Sequence, residues 1–459
     1  MKEPALVIIG NGITGITVAR TVRKQFKDVR IRIISDETDY FFSRPALMYI
    51  YMGHMEARHT EPYERRFYDD NYLELIKGKV ESLDPESGQI TLSNSQIIPY
   101  DYLVLATGSI PNRFGWPGQD LQAVQGLYSM QDLETLEHWS AQGIDHAVIV
   151  GGGLIGIELA EMLHTRNIPA TFLVRESHYW GNILPPEESG LVKKQIDAHH
   201  IGLKLNTELK SIEADENGRA RAVVTTDGQE IPANFVGLTA GVRPNLSLSH
   251  PSLETGRGYL IDSYFQTSQD KIYAAGDCAQ LRNPDGSPGP VEQLWYTGRM
   301  QGESLGKILG HRIQQEHDLQ MRNDIVERDQ ATPGRSPYDR GIWFNSAKFF
   351  NLEYQTYGFV PAQVDAERTF YWQHPGKDMC FRMVWSGDAQ SGAVTGFNVF
   401  GLRYRQNVCE TWIAEKRSPA FVIENLKKAN FDPEFFERPE RKIQKAFKEF
   451  LKKAAPASA

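Results

Sequence analysis

Two glycine-rich stretches constrain this chain more than anything else in it. In Leu6-Val7-Ile8-Ile9-Gly10-Asn11-Gly12-Ile13-Thr14-Gly15, four apolar residues predict a buried strand, and a helix is expected from Ile16 to Phe26. Gly10, Gly12 and Gly15 stand between them in G-x-G-x-x-G spacing. Gly10 permits the tight turn, Gly12 lets a pyrophosphate approach the backbone, and Gly15 lets helix and strand pack closely. The phosphates then face the helix N-terminus, where free N–H groups and the dipole favour negative charge. Ile13 and Thr14 complete this candidate cradle. A second strand, Arg30 to Ile34, ends at Ser35-Asp36-Glu37. An acidic side chain about 20 residues past the glycines can accept hydrogen bonds from a ribose, a role for Asp36 or Glu37.

The same device returns in His146-Ala-Val-Ile-Val-Gly151-Gly-Gly153-Leu154-Ile155-Gly156, followed by a helix through His164 and a strand over 170–174. Two dinucleotide-binding units in one chain point most simply to a flavoprotein fed by a nicotinamide. At 459 residues the chain has room for about three domains. A net charge of −8 argues against general nucleic-acid binding. No run of 18 apolar residues predicts a membrane-spanning helix. Met1-Lys2-Glu3-Pro4 leads straight into the first strand, leaving no room for a signal peptide, so a cytoplasmic protein is expected. The three cysteines, Cys278, Cys380 and Cys409, form no C-x-x-C pair and no cluster with histidine. No metal is expected.

Between the glycine units, residues 72–105 alternate apolar and polar side chains and are expected as a small antiparallel meander ending in Tyr102-Leu-Val-Leu-Ala106-Thr107-Gly108. Further on come Gly241-Val-Arg-Pro-Asn245, then Gly276-Asp277 after a short strand, then a helix over 291–310. Residues 311–337 are polar and are read as a linker or a helical extension. From Tyr338 the chain shifts to aromatic, strand-like segments, expected as an α+β domain. A carboxylate at Asp277, after a close-approach glycine, can accept a hydroxyl hydrogen bond or order water near phosphate. It can also cap the segment that follows.

Taken together, these marks resemble the two-dinucleotide-binding-domain flavoproteins of the pyridine nucleotide–disulfide oxidoreductase group, over residues 5–310. The resemblance implies an α/β fold: two Rossmann-like domains with β-meander insertions, plus the C-terminal α+β domain. It implies a FAD domain split into 1–115 and 245–325, an NAD(P)H domain at 116–244, and a third domain at 326–459. Gly10 to Gly15, Ala106 to Gly108, Gly241, Gly276 and Asp277 then serve FAD, and Gly151 to Gly156 serve NAD(P)H.

Departures from the family pattern narrow the chemistry. Disulfide reductases of the group carry a redox cysteine after the first acid; here that stretch is Phe41-Phe-Ser43-Arg44-Pro45, without a thiol. Ser43 cannot form a thiolate or a mixed disulfide. The Arg-Pro pair resembles the ferredoxin/rubredoxin reductase and nitrite-reductase branch, which implies direct electron delivery from reduced flavin to an external acceptor. Arg44 is expected to stabilise the reduced flavin or to pair with a carboxylate, and Pro45 to pack near the ring. Val174 stands where NAD-preferring members place an acid, and Arg175 next to it suits a 2′-phosphate, so NADPH is favoured over NADH. Glu176 could restore a diol contact. Glu158 is a candidate nicotinamide or flavin-edge contact, or a first-turn acid that suits the dipole. Residues 344–358 resemble the C-terminal domain of coenzyme A disulfide reductases, implying a homodimer. Arg438 to Lys453 holds seven basic and two acidic residues, with Ile443, Phe447, Phe450 and Leu451 on one helical face. Such a face packs on its own domain or lies on a membrane surface. A basic patch could also dock an acidic ferredoxin. Two alternatives are therefore kept: a membrane-surface NADH:quinone reductase, and a low-turnover FAD/NAD-binding interaction protein.

Overall fold

The computed structural model describes residues 3–322, 336–431, 434 and 438–454. The chain divides into two compact units: Met1–Asn112 with Gly126–Gln142 and Gly241–Arg340, and Arg113–Gln125 with Gly143–Ala240 and Gly341–Ala459. The segment Gly126–Gln142 belongs to the first unit, and the C-terminal residues share a unit with the second glycine motif.

The first unit is built on a five-stranded parallel sheet in the spatial order Ile272–Ala274, Tyr102–Leu105, Ala5–Ile9, Arg30–Ser35, Leu73–Lys77. Ala5–Ile9 is buried along its whole length, as a central parallel strand covered on both faces must be. The order reverses direction beside this strand, which is where an open α/β sheet leaves its ligand crevice. Leu73–Lys77 joins this sheet instead of the meander. The antiparallel meander is confined to Val80–Asp84, Gln89–Leu92 and Ile97–Pro99. The helix Ile13–Gln25 packs against a long helix, Trp295–Arg322, which includes the first part of the expected linker. Gly298, Gly302, Gly306 and Gly310 recur every fourth residue along that seam. A Cβ on Gly302 would lie 2.8 Å from the carbonyl oxygen of Thr14, and one on Gly306 would lie 2.5 Å from Thr21 Cβ. The two backbones therefore approach more closely than any larger residue would permit.

The second unit repeats the parallel sheet in the order Gly202–Lys204, Ala170–Leu173, Ala147–Val150, Phe235–Leu238, Val124–Gln125. Its C-terminal part is an antiparallel sheet in the order Phe344–Phe349, Leu352–Gly358, Ala393–Phe400, Cys380–Ser386, Thr369–Gln373. An aromatic core that includes Phe381, Trp385, Phe397 and Trp412 fills it. Within this unit Arg382, fully buried, bonds both oxygens of the equally buried Glu188 at 2.6 and 2.9 Å and reaches Glu187 at 2.8 Å. Asn398 adds a third donor to Glu188 at 3.2 Å. A buried charge pair of this kind holds elements in one register, because neither partner tolerates loss of the other.

Candidate functional site

Both glycine-motif helices begin without a cap. Ile13–Gln25 starts after Gly12 and Leu154–Thr165 after Gly153; neither has a side-chain cap bond, and neither has an acid in its first turn. The first N–H groups of each helix are thus left to an outside acceptor, and the dipole favours an anionic one. The glycines divide the labour as their spacing predicts. A Cβ on Gly10 would strike the Ala106 carbonyl oxygen at 2.1 Å, and one on Gly15 would strike that of Gly10 at 2.0 Å. Gly12 and Gly153 have nothing within 4 Å of that position, so each presents open backbone. Gly151 (φ 121°) and Gly156 repeat the packing roles against Thr239 and Gly151. Asn11, inside the first loop, leaves its buried Oδ1 without a partner among the described residues, as does Trp295 at Nε1. These cradles fit the phosphates of two dinucleotides. Ile13, Leu154 and Ile155 line the loops half-buried. Thr14 is turned inward, its hydroxyl donating to the Gly298 carbonyl at 3.0 Å.

Around the first cradle the structure assembles a polar network. Glu37 is engaged: its two oxygens accept from Arg44 Nη1 and Nη2 at 2.8 and 2.6 Å, and Oε1 also accepts from the Met130 amide at 3.0 Å. Asp36 is exposed. Arg44 therefore does pair with a carboxylate. It also donates to the Tyr128 carbonyl at 2.5 Å and stacks on the Tyr128 ring at 4.3 Å. Pro45 is exposed in a short 3-10 turn. Asp277 accepts from Ser109 Oγ at 2.9 Å, and Ser109 Oγ in turn accepts from Gln293 at 2.7 Å. Burial pushes the Asp277 carboxyl up, against the opposing pull of Ser109, Arg44 and Tyr128. The Ala106–Gly108 turn is knitted to Asn245: Thr107 Oγ1 donates to the Asn245 carbonyl at 2.7 Å, and the Asn245 amide donates to the Gly108 carbonyl at 2.9 Å. Gly241 (φ 86°) accepts at its carbonyl from the Asn112 amide. Gly276 (φ 78°) admits Thr14, whose Oγ1 would lie 2.4 Å from a Cβ there. Tyr128 escaped the sequence reading, since a tyrosine before a helix carries no local signal of such a role.

At the second cradle, Val174 is fully buried and packs on Gly152, whose Cβ would meet it at 2.8 Å. Arg175 is mostly exposed and pairs with Glu176 at 2.8 Å; Asn182 donates to the same Glu176 oxygen at 2.7 Å. Burial opposes ionisation of Glu176, but those bonds outweigh it and hold its pKa low. Tyr179 donates to the Gly153 carbonyl at 2.9 Å, tying the loop after the strand to the glycine turn. Glu158 sits one turn into the helix. Burial first, and nearby Glu161 second, push it up to about 8. Near neutrality its protonated form is favoured.

All three cysteines are buried and free, and burial raises each thiol. None offers an accessible thiolate. Among the described residues no group of three His, Cys, Asp or Glu side chains could hold a metal ion, and no helix is long and apolar enough to cross a membrane. The tail helix Glu440–Ala454 buries Ile443 and Phe447 in the aromatic core of its own unit, with Phe450 and Leu451 packed against it. Its apolar face is thereby occupied, which removes the surface a membrane-lying helix needs.

Comparison with known proteins agrees with this geometry. The chain is 29% identical over 282 residues to the rubredoxin-NAD(+) reductase of Pseudomonas putida, covering 61% of this chain and 73% of that one. It is 27% identical over 350 residues to the ferredoxin–NAD(+) reductase component of the biphenyl dioxygenase system of Paraburkholderia xenovorans, covering 72% and 85%. A crystal structure of a ferredoxin reductase from Rhodopseudomonas palustris shares the fold at a TM-score of 0.72 and 22% identity, over 86% of this chain and 91% of that one. Residues 4–302 match the family described as pyridine nucleotide-disulphide oxidoreductase. With two uncapped glycine cradles standing in family order within that match, the chain belongs to the pyridine nucleotide-disulphide oxidoreductase family.

Proposed function

We propose that this oxidoreductase binds FAD in its first unit and NAD(P)H in its second, and passes electrons to an external ferredoxin- or rubredoxin-like protein without a redox-active cysteine. When bound, the flavin would take a hydride at N5 from the reduced nicotinamide and release the electrons to the acceptor. The protein's share is position and electrostatics. The uncapped helix starts bind the two pyrophosphates, Asp36 accepts from the adenosine ribose, and Asp277 accepts from the ribityl chain or orders water at the phosphates. Arg44, held by Glu37 and Tyr128, keeps one positive charge near the Asp277 carboxylate. Glu158 is assigned to the nicotinamide carboxamide. The observation that carries the proposal is the pairing of two dinucleotide cradles with buried, unionised thiols and a serine at the family's redox position. The names of the relatives, which pair NAD(+) reductase with rubredoxin or ferredoxin, support the acceptor class.

For the second nucleotide we propose NADPH, because Val174 removes the acid at the strand end and Arg175 can reach a 2′-phosphate once it leaves Glu176. A cytoplasmic location and a homodimer formed through the C-terminal sheet complete the proposal; sedimentation of the holoenzyme tests the latter. The direct test of function is stopped-flow reduction by NADPH and NADH, followed by ferredoxin, rubredoxin, quinone and small-disulfide acceptors. Rapid transfer to an iron–sulfur protein or rubredoxin is expected. Fast disulfide turnover contradicts the proposal, quinone turnover selects the quinone reductase, and a long-lived reduced complex without turnover selects the interaction protein.

A further inference from the structure

Tyr128 is the hub of the first cradle's polar network, although Arg44, Ser109 and Asp277 lie in other segments of the chain. Its phenol oxygen accepts from the Ser109 amide at 3.0 Å and sits 3.1 Å from where a Cβ on Gly108 would stand. Ser109, which this oxygen holds by its amide, donates from Oγ to Asp277 at 2.9 Å, and the phenol lies near enough to Asp277 to lower its pKa. Its ring lies under the Arg44 guanidinium, and its carbonyl accepts from Arg44 at 2.5 Å. Its own amide is fixed by Asp132 at 2.8 Å, where the following helix begins. One residue thus joins the Ala106–Gly108 turn, the Asp277 carboxylate and the Arg44–Glu37 pair.

We infer that Tyr128 is a positioning residue for FAD, holding the Asp277 carboxylate and the Arg44 guanidinium at a fixed separation beside the glycine loop. The inference rests on the flavin role proposed for Asp277. The groups facing Asp277 are Ser109 from the strand Ser109–Pro111, Arg44 from the turn Arg44–Ala46 with Glu37 behind it, and Tyr128 itself. Burial raises the Asp277 pKa and the phenol hydroxyl lowers it. An ionised Asp277 accepts from a flavin hydroxyl, so FAD affinity falls as pH drops through that pKa. Removing the phenol hydroxyl raises the pKa and moves the acid limb to higher pH.

Tyr128→Phe keeps the ring and the stacking on Arg44, and so removes only the hydroxyl. The test is the FAD dissociation constant against pH, measured by flavin fluorescence on reconstituted protein, with thermal unfolding of the apoprotein as the folding control. Tyr128→Phe is expected to weaken FAD about tenfold and to shift the acid limb upward, with the apoprotein midpoint unchanged. Asp277→Asn should flatten the limb, and adding Tyr128→Phe to it should cost little more. If Asp277→Asn weakens FAD but Tyr128→Phe moves neither affinity nor limb, the inference is overturned and the assignment of Asp277 stands. A weakened affinity with an unmoved limb reduces Tyr128 to packing and also overturns it. If Asp277→Asn leaves affinity and limb untouched, both fall.

Discussion

Glu158 shows how one side chain can tie stability to pH. Its folded pKa of about 8 lies above the ordinary carboxylate value of 4.5. Between those values the folded state holds a proton that the unfolded state has lost, so stability falls as pH rises through that window. Glu158→Gln should unfold at a higher midpoint than the parent at pH 8, by about 1–3 kcal/mol, and should match it near pH 4. Denaturant titration at the two pH values checks this. Arg175 belongs to the same scale. Arg175→Ala frees Glu176, and the expected outcome is a KM for NADPH raised about tenfold with that for NADH little changed. An equal change for both nucleotides would leave Arg175 a solvated partner of Glu176. The glycine roles at this scale were legible, because a missing Cβ is a property of the residue itself. The engagement of Glu37 by Met130 was not, since it depends on a segment 93 positions away that folds back into the same unit.

Among the elements, the Ile13–Gln25 helix and the long helix Trp295–Arg322 pack closely. The four-residue glycine spacing that permits it stands in the sequence. What was not legible is that Thr14, Thr17 and Thr21 lie opposite, because the helices are far apart in the chain. Gly302→Ala would press a methyl to 2.8 Å from the Thr14 carbonyl oxygen, a backbone atom that cannot yield alone. The expected cost is about 1–3 kcal/mol with faster FAD loss, read by thermal unfolding and flavin release. Strand identity was also partly hidden. Leu73–Lys77 has the composition of a meander strand, but it pairs in parallel with Arg30–Ser35. In the second unit, Arg382→Met would strand Glu188 as an uncompensated buried charge, so a loss of about 3–5 kcal/mol is expected in denaturant unfolding. Replacing Arg382, Glu188 and Glu187 together by apolar residues should cost less than that single change.

On the scale of the whole molecule, the order of the two glycine motifs made the repeated parallel sheets readable, and the aromatic segments announced the C-terminal strands. The partition into two units could not be read, because it depends on Gly126–Gln142 returning to the first unit and on the buried Arg382–Glu188 pair within the second unit. The central claim is that bound flavin is the sole redox carrier in the polypeptide. Anaerobic titration of the holoenzyme with NAD(P)H tests it most directly, by counting the electron pairs taken up before the flavin's visible band is bleached. Complete bleaching at one equivalent per flavin, with no long-wavelength thiolate–flavin band, is the predicted result. A second equivalent consumed together with the appearance of a reactive thiol would contradict it.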